Sequence, residues 1–328
     1  MSSAEKIIAG FSNLKVLIIG DVMIDSYLWG KTSRISPEAP VPVIDVEKRE
    51  KRLGGAANVA LNIKALGAEP ILCSVVGKSG NGDEFLNLLS AQQLRSDGIL
   101  QSEERKTTVK HRIIASSQQL LRVDEESTND ISESEYLSLI SNITHMLHEV
   151  DVVIFEDYDK GCITPQLIEQ TVKKANELSI PTVVDPKKKN FLHYKGVTLF
   201  KPNLKEITEG LNIVIDPTSK ESIDGANKEL KDTLGHEHTL ITLSEHGVYF
   251  SSDNKSMTIP AHLRKIADVS GAGDTVVSVA ALCLASGVEH ATIAEISNLA
   301  GGLVCEYLGV KSIEKERLQQ EIESNQLL

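Results

Sequence analysis

Cysteine is scarce in this chain, and the few that occur are badly placed for chemistry. The 328 residues carry four, Cys73, Cys162, Cys283 and Cys305, with no CxxC pair among them. That spacing excludes a small zinc module and a disulfide framework. It fits a reducing cytoplasm, with all four serving as small buried hydrophobes. An excess of positive charge is also missing. At a formal net charge of −12, most of the surface repels a polyanion. General binding to nucleic acid or to an acidic membrane is thereby excluded, whereas a local basic patch for a small phosphate is not. No run is long and apolar enough to span a bilayer. The segment Met1 to Lys6 lacks a basic start followed by a long apolar core, so no signal peptide is expected. There is no internal repeat of solenoid length and no low-complexity linker. The nine histidines form no metal-spaced cluster. No G-x-G-x-x-G follows the first strand, where a dinucleotide-binding dehydrogenase would carry it.

What is present is enough length and apolar content for one large α/β domain or two modest ones. Residues 15–21 read as a fully buried strand, apolar and β-branched, ending in Gly-Asp. Further apolar strands are expected at 70–77, 150–155, 181–185, 198–203 and 239–243, with helices near 4–13, 83–94, 133–148 and 165–178. This alternation predicts an α/β fold with a doubly wound, mostly parallel sheet flanked by helices. Such sheets bind ligands outside the carboxyl ends of their strands. Asp21, Glu156, Asp185, Asn203 and Thr242 should therefore gather in one crevice. Asp25, slightly further on, is a second candidate for gripping a substrate hydroxyl, with a capping or turn role as the alternative.

Two stretches break the pattern. Ser33 to Glu47 holds Pro37, Pro40 and Pro42 and then alternates apolar with polar residues, as a half-exposed edge strand would. Residues 107–114 alternate too and are expected to pair with it, 118–123 continuing. Together they predict a small β-sheet lid, inserted at about 30–52 and 106–123. A lid would exclude water from the crevice beneath it. Its exposed apolar face suits a homodimer contact.

Two glycine-rich turns remain. Gly54-Gly55-Ala56-Ala57-Asn58 leads into a helix of small residues. Its glycines admit close approach of backbone to ligand, and Asn58 can bond a sugar hydroxyl. A tight helix-packing turn is the plainer alternative. Asp268 to Thr275 reads as a second turn opening an apolar helix, with Asp274 at the helix mouth. Backbone N–H groups and the helix dipole make such a mouth favourable for anions. A carboxylate beside it suits a reaction in which a phosphoryl group is held while a hydroxyl loses its proton. An ordinary strand-to-helix turn is the alternative here.

As an ordered pair, with the lid strands between them, these two motifs resemble the signatures of the ribokinase-like (PfkB) carbohydrate kinases. The resemblance covers essentially the whole chain and implies a single kinase domain over 1–328. Gly20–Asp25, Thr32–Val43, Gln118–Asp124, Asp157–Gly161, Val184–Lys187 and Lys201–Glu206 further resemble the kinases of bacterial ADP-heptose synthesis. Those enzymes phosphorylate D-glycero-β-D-manno-heptose 7-phosphate at its anomeric hydroxyl. In many bacteria they are fused to a nucleotidyltransferase; here the stand-alone form is expected.

The resemblance implies ATP and Mg²⁺, and leaves a monovalent cation open. Asp274 would take the proton of the acceptor hydroxyl. The N–H groups of Gly271, Ala272 and Gly273 would hold charge developing on the transferring phosphoryl group. Asp21, Asp25, Gly54, Gly55 and Asn58 would grip the sugar. Asn203 and Glu206, in the family's Asn-x-x-Glu pattern, would hold Mg²⁺ largely through water, with Asp185 assisting. Thr242, Ser244 and Gly247 match a Thr-x-Gly-x-x-Gly nucleotide turn in which Ser244 replaces the first glycine, and Asn298 would neighbour the base. The sugar's own phosphate needs cations, two or three of them drawn from Arg34, Lys110, Arg112, Arg122, Lys160 and Lys187. A ribokinase- or fructokinase-like substrate is the competing expectation. A non-catalytic sugar-binding regulator is a weaker one, since Gly271 to Asp274 is intact.

Overall fold

Strands buried on both faces must be apolar along their buried length, and β1 (Lys15–Gly20) is apolar and buried at every position after Lys15. In a computed structural model, which describes residues 2–115, 118–252, 255–262 and 264–325, its side chains alternate between two cores. Val16 and Ile18 point to one, Leu17 and Ile19 to the other. The remaining strands are β2 (Val22–Ile35), β3 (Pro42–Gly55), β4 (Glu69–Gly77), β5 (Ile99–Ser102), β6 (Thr108–Ala115), β7 (Gln118–Glu125), β8 (Val152–Glu156), β9 (Thr182–Asp185), β10 (Leu199–Phe200), β11 (His238–Thr242), β12 (Val248–Ser252) and β13 (Lys255–Ile259). The helices are α1 (Ser3–Gly10), α2 (Ala56–Ala65), α3 (Gly80–Ala91), α4 (Glu133–Met146), α5 (Pro165–Glu177), α6 (Leu204–Leu211), α7 (Lys220–Leu234), α8 (Ala272–Ala285), α9 (His290–Val304) and α10 (Lys315–Ser324).

The large sheet has nine strands in the order β13-β12-β11-β10-β9-β8-β1-β4-β5. It is parallel from β11 through β5. The edge hairpin β12–β13 runs antiparallel and was not foreseen, because its short alternating run is no stronger than that of a loop. Helices α1, α2, α3, α8, α9 and α10 cover one face; α4, α5, α6 and α7 cover the other. All four cysteines are unpaired and buried. No helix among the described residues is long and apolar enough to cross a membrane.

The lid is a four-stranded sheet in the order β3-β2-β6-β7. It differs from the sequence expectation in detail. The proline-bearing stretch is not one strand but a hairpin. Pro37 and Pro40 fall between β2 and β3, where the chain turns and Ser36 N–H bonds the Val41 carbonyl at 2.9 Å. Pro42 opens β3, an edge strand, where its missing N–H costs no ladder bond. The 108–115 strand pairs in parallel with β2 rather than with the proline stretch. Both long strands also start nearer the main sheet than expected: β2 leaves directly from Asp21, and β3 returns to the N-terminus of α2.

Candidate active site

The parallel topology gathers the ends of β1, β8, β9, β10 and β11 along one edge. There they meet the N-termini of α8 and α6. A cavity of about 510 Å³ lies between them, lined among others by Tyr158, Asp185, Lys187, Lys201, Asn203, Glu206, Thr242, Ser244, Gly271, Gly273 and Asp274.

Asp274 occupies the first turn of α8 and is only 6 % exposed. Two donors hold it. Asn58 Nδ2, from α2, reaches Oδ2 at 2.6 Å, and the Tyr158 hydroxyl reaches Oδ1 at 2.8 Å. Burial pushes its pKa up, and those two hydrogen bonds offset part of the rise. Gly271 caps α8, and Asp274 follows three residues later. The N–H of Ala272 is bonded to the Val269 carbonyl at 3.3 Å, whereas among the described residues those of Gly271 and Gly273 have no backbone acceptor. Of the three donors expected from sequence, two are thus open. The Oδ1 of Asn58 is buried and also without a partner among the described residues.

Asp25, on β2, is 3 % exposed and ion-paired with Arg112 of β6. Gly54 lies directly behind it: a Cβ there would stand 2.4 Å from Asp25 Oδ2. Gly54 and Gly55 end β3, and Gly55 caps α2. Asp21 is placed differently from expectation. Its two oxygens accept the backbone N–H groups of Tyr158 (2.9 Å), Lys160 (3.0 Å) and Cys162 (3.0 Å). It pins the loop after β8 instead of facing the cavity. Burial, with Asp157 adding to it, raises its pKa to about 6 against those three donors.

At the N-terminus of α6 the Asn-x-x-Glu pattern turns out to be a reciprocal helix cap. Asn203 Oδ1 accepts from Glu206 N, and Glu206 Oε2 accepts from Asn203 N, both at 2.8 Å. This leaves Glu206 Oε1, which pairs with Lys187. Lys187 also lies 3.6 Å from Asp185 Oδ1, with its ammonium over the Tyr158 ring at 5.4 Å from the centroid. Lys187 therefore sits between the carboxylates of Asp185 and Glu206. Lys201 was not singled out from sequence. It is 2 % exposed and pairs with Asp185 Oδ2 at 2.9 Å. Burial works against the Asp185 charge, but Lys201 and Lys187 outweigh it and hold the carboxyl below its ordinary value. Glu156, at the end of β8, is fully buried, and neither of its oxygens has a partner among the described residues. Burial drives its pKa well up, and Asp185 and Asp274 drive it further.

Thr242 ends β11 and bridges to Asn203. The turn after it explains the glycine that the motif leads one to expect. Ser244 has φ 54°, in the left-handed region, so a side chain there is strained. Gly247 has φ 86°, and a Cβ would stand 2.0 Å from the Ile259 carbonyl oxygen. Asn298 lies on α9, and its Nδ2 bonds the Pro260 carbonyl at 2.9 Å.

The lid supplies the cations. Strand registers place Arg52, Asp25, Lys110 and Asp124 in one cross-strand row, with Tyr27, Arg112 and Arg122 two residues along on the same face. Arg52 and Arg112 both lie over the Tyr27 ring, 5.1 and 5.4 Å from its centroid. Lys160 pairs with Glu126 at 2.8 Å. Lys110 has no carboxylate within ion-pair distance among the described residues; burial pushes its pKa down, and nearby Lys160 adds to this. Arg34 lies at the exposed far end of β2, away from this cluster. Tyr158 and Lys201 escaped the sequence reading because a Tyr or Lys inside a short motif looks like any other. Their position at a strand's carboxyl end was the available signal.

Comparison with known proteins bears on this arrangement. The model of the pfkB family of carbohydrate kinases matches residues 13–317. The bifunctional protein HldE of Desulfatibacillum aliphaticivorans is 38 % identical over 314 residues, covering 95 % of this chain and 64 % of its own length. That of Campylobacter jejuni subsp. doylei is 41 % identical over 307 residues, covering 93 % and 64 %. The chain thus spans less than two thirds of these relatives. Among solved structures, phosphofructokinase-2 from Escherichia coli in complex with potassium superimposes with a TM-score of 0.76 at 18 % identity, over 95 % of this chain and 98 % of that one. Arabidopsis thaliana ribokinase complexed with ribose and ATP gives 0.73 at 15 %, over 94 % and 98 %. These last two show a shared ribokinase-like fold. By the family match and the extent of its identity to HldE proteins, the chain belongs to the pfkB family of carbohydrate kinases, phosphotransferases that act on an alcohol group.

Proposed function

We propose that this chain transfers the terminal phosphoryl group of ATP to the anomeric hydroxyl of D-glycero-β-D-manno-heptose 7-phosphate. The product would be the 1,7-bisphosphate used in ADP-heptose and lipopolysaccharide core synthesis. The observation that carries the chemistry is Asp274, a buried carboxylate held by Asn58 and Tyr158 at the mouth of α8. The heptose reading draws on the lid motif from Thr32 to Val43 and on the likeness to HldE proteins along nearly the whole chain.

In this reading Asp274 accepts the proton of the attacking hydroxyl. Asp25 and the free Oδ1 of Asn58 hold neighbouring hydroxyls. The open N–H groups of Gly271 and Gly273 and the α8 dipole favour negative charge on the phosphoryl oxygens. Lys187 and Lys201 line the same cavity and suit the ATP phosphates. Asp185 and Glu206 would hold Mg²⁺ beside them. Asp185 Oδ1 makes no hydrogen bond among the described residues; only the Lys187 ammonium, 3.6 Å away, faces it, and a hydrated cation could share it. Among the described residues no group of three His, Cys, Asp or Glu is arranged to ligate a metal directly; coordination through retained water fits the donor set. When bound, the ion neutralises phosphate charge. Lys110, Arg112 and Lys160 are the cations best placed for the sugar's own phosphate. Leu121 and Val123, 53 % and 45 % exposed on the lid, suit a homodimer contact, checked by light scattering on the purified chain. The unpaired cysteines and the use of ATP fit the cytoplasm.

A panel of sugars and sugar phosphates, read by ADP release, tests the substrate. Ready turnover of ribose or fructose with none of the heptose 7-phosphate would overturn it. Asp274→Asn tests the base: kcat should fall by about 10²–10⁴-fold while sugar binding persists.

A further inference from the structure

The base has a second contact that neither signature motif supplies. Tyr158 belongs to the loop after β8, which Asp21 pins through the Tyr158, Lys160 and Cys162 N–H groups. Its hydroxyl donates to Asp274 Oδ1 at 2.8 Å. Its ring carries the Lys187 ammonium at 5.4 Å, and Lys187 in turn sits on Glu206. We propose that Tyr158 is a positioning residue for phosphoryl transfer: with Asn58 it fixes the Asp274 carboxylate, and through Lys187 it joins that carboxylate to the nucleotide-side charges. The inference rests on Asp274 as the base.

The geometry makes the case. A carboxylate on a short side chain rotates freely unless both oxygens are held. Asn58 holds Oδ2 from α2, and Tyr158 holds Oδ1 from the opposite side of the crevice. Each donor comes from an element anchored elsewhere, so neither follows Asp274 if α8 shifts. The Tyr158 O–H favours the charged carboxylate, the form that accepts a proton. Other groups act on Asp274 as well: burial disfavours its charge most, Asp185 adds to this, and Lys187 favours it. Tyr158 thus offsets part of the rise that burial imposes on the Asp274 carboxyl.

Tyr158→Phe removes only the hydroxyl. The ring under Lys187 and the N–H bonded to Asp21 stay. Loss of a donor to the charged form raises the Asp274 pKa, so the acidic limb of kcat/KM against pH should move to higher pH by about one unit. At neutral pH kcat should fall at least about tenfold, with the KM for ATP within about twofold of the parent. An unchanged acidic limb together with unchanged kcat would overturn the inference. So would a rise in ATP KM alone, which would make Tyr158 a nucleotide contact. If the Phe variant folds poorly by thermal melting, 3-fluorotyrosine placed at 158 keeps the shape and donates more strongly. It should move the limb to lower pH, and a limb that stays put counts against the proposal. Asp274→Asn measured alongside separates the two readings. If it keeps turnover, the base assignment fails; if it is inactive while Tyr158→Phe behaves as the parent, only the positioning role fails.

Discussion

Lys201→Met is the sharpest test of how the charged groups of the cavity are held together. The Lys201 ammonium and the Asp185 carboxylate are 2.9 Å apart and both almost fully buried. Methionine keeps most of the side-chain volume, so the change is nearly pure charge removal. Breaking a buried pair from one side costs about 3–5 kcal/mol, because the remaining charge is left uncompensated. Lys187, 3.6 Å from the other Asp185 oxygen, still faces that charge, so the lower end applies, about 3 kcal/mol. The cost should depend on pH. Asp185 is held below its ordinary carboxylate value, so its contribution is present above about pH 4 and is lost as pH falls through the depressed folded value. Without Lys201 the carboxyl takes a proton at higher pH, and the penalty shrinks in acid. Urea unfolding of both proteins at neutral pH and in mild acid measures this. The double variant Lys201→Met with Asp185→Asn should cost less than the sum of the singles. A loss under about 1 kcal/mol at neutral pH, or one that is flat with pH, refutes the reasoning, since it would mean the pair is solvated.

Ser244→Gly should stabilise the protein. It relieves left-handed strain at φ 54°, worth roughly 1 kcal/mol, less about half of that for the added freedom of the unfolded chain; thermal melting checks it, and a lower melting temperature counts against it. Gly54→Ala should act on the sugar side alone. The added Cβ would stand 2.4 Å from Asp25 Oδ2, so the carboxylate must leave Arg112, and the sugar KM should rise about tenfold or more, equivalent to about 1.4 kcal/mol, with the ATP KM unchanged.

Much of the fold was legible in the sequence because its signals are local. Apolar, β-branched runs such as 16–19 and 152–155 announce buried strands wherever they occur. Gly54-Gly55 and Gly271 to Gly273 mark turns that open helices, and strand-then-helix order fixes which strand ends share a crevice. The lid hairpin was misread for an equally local reason: a proline is as acceptable in a turn as on an edge strand, and sequence alone does not choose.

The chemistry depended on what meets what. Period and spacing placed Asp274 at the mouth of a helix. Only the tertiary structure set Asn58 and Tyr158 on its two oxygens, from segments 216 and 116 residues away. It also turned Asp21 toward a backbone loop, set Lys187 against Asp185 and Glu206, left Arg34 outside, and brought in Lys201. A residue type states which bonds it is able to make. Electrostatic energy falls off with distance through space and takes no account of separation along the chain, so which bonds are made is decided by packing. The helix mouth and its carboxylate were written in the sequence; the partners that hold the carboxylate in place were not.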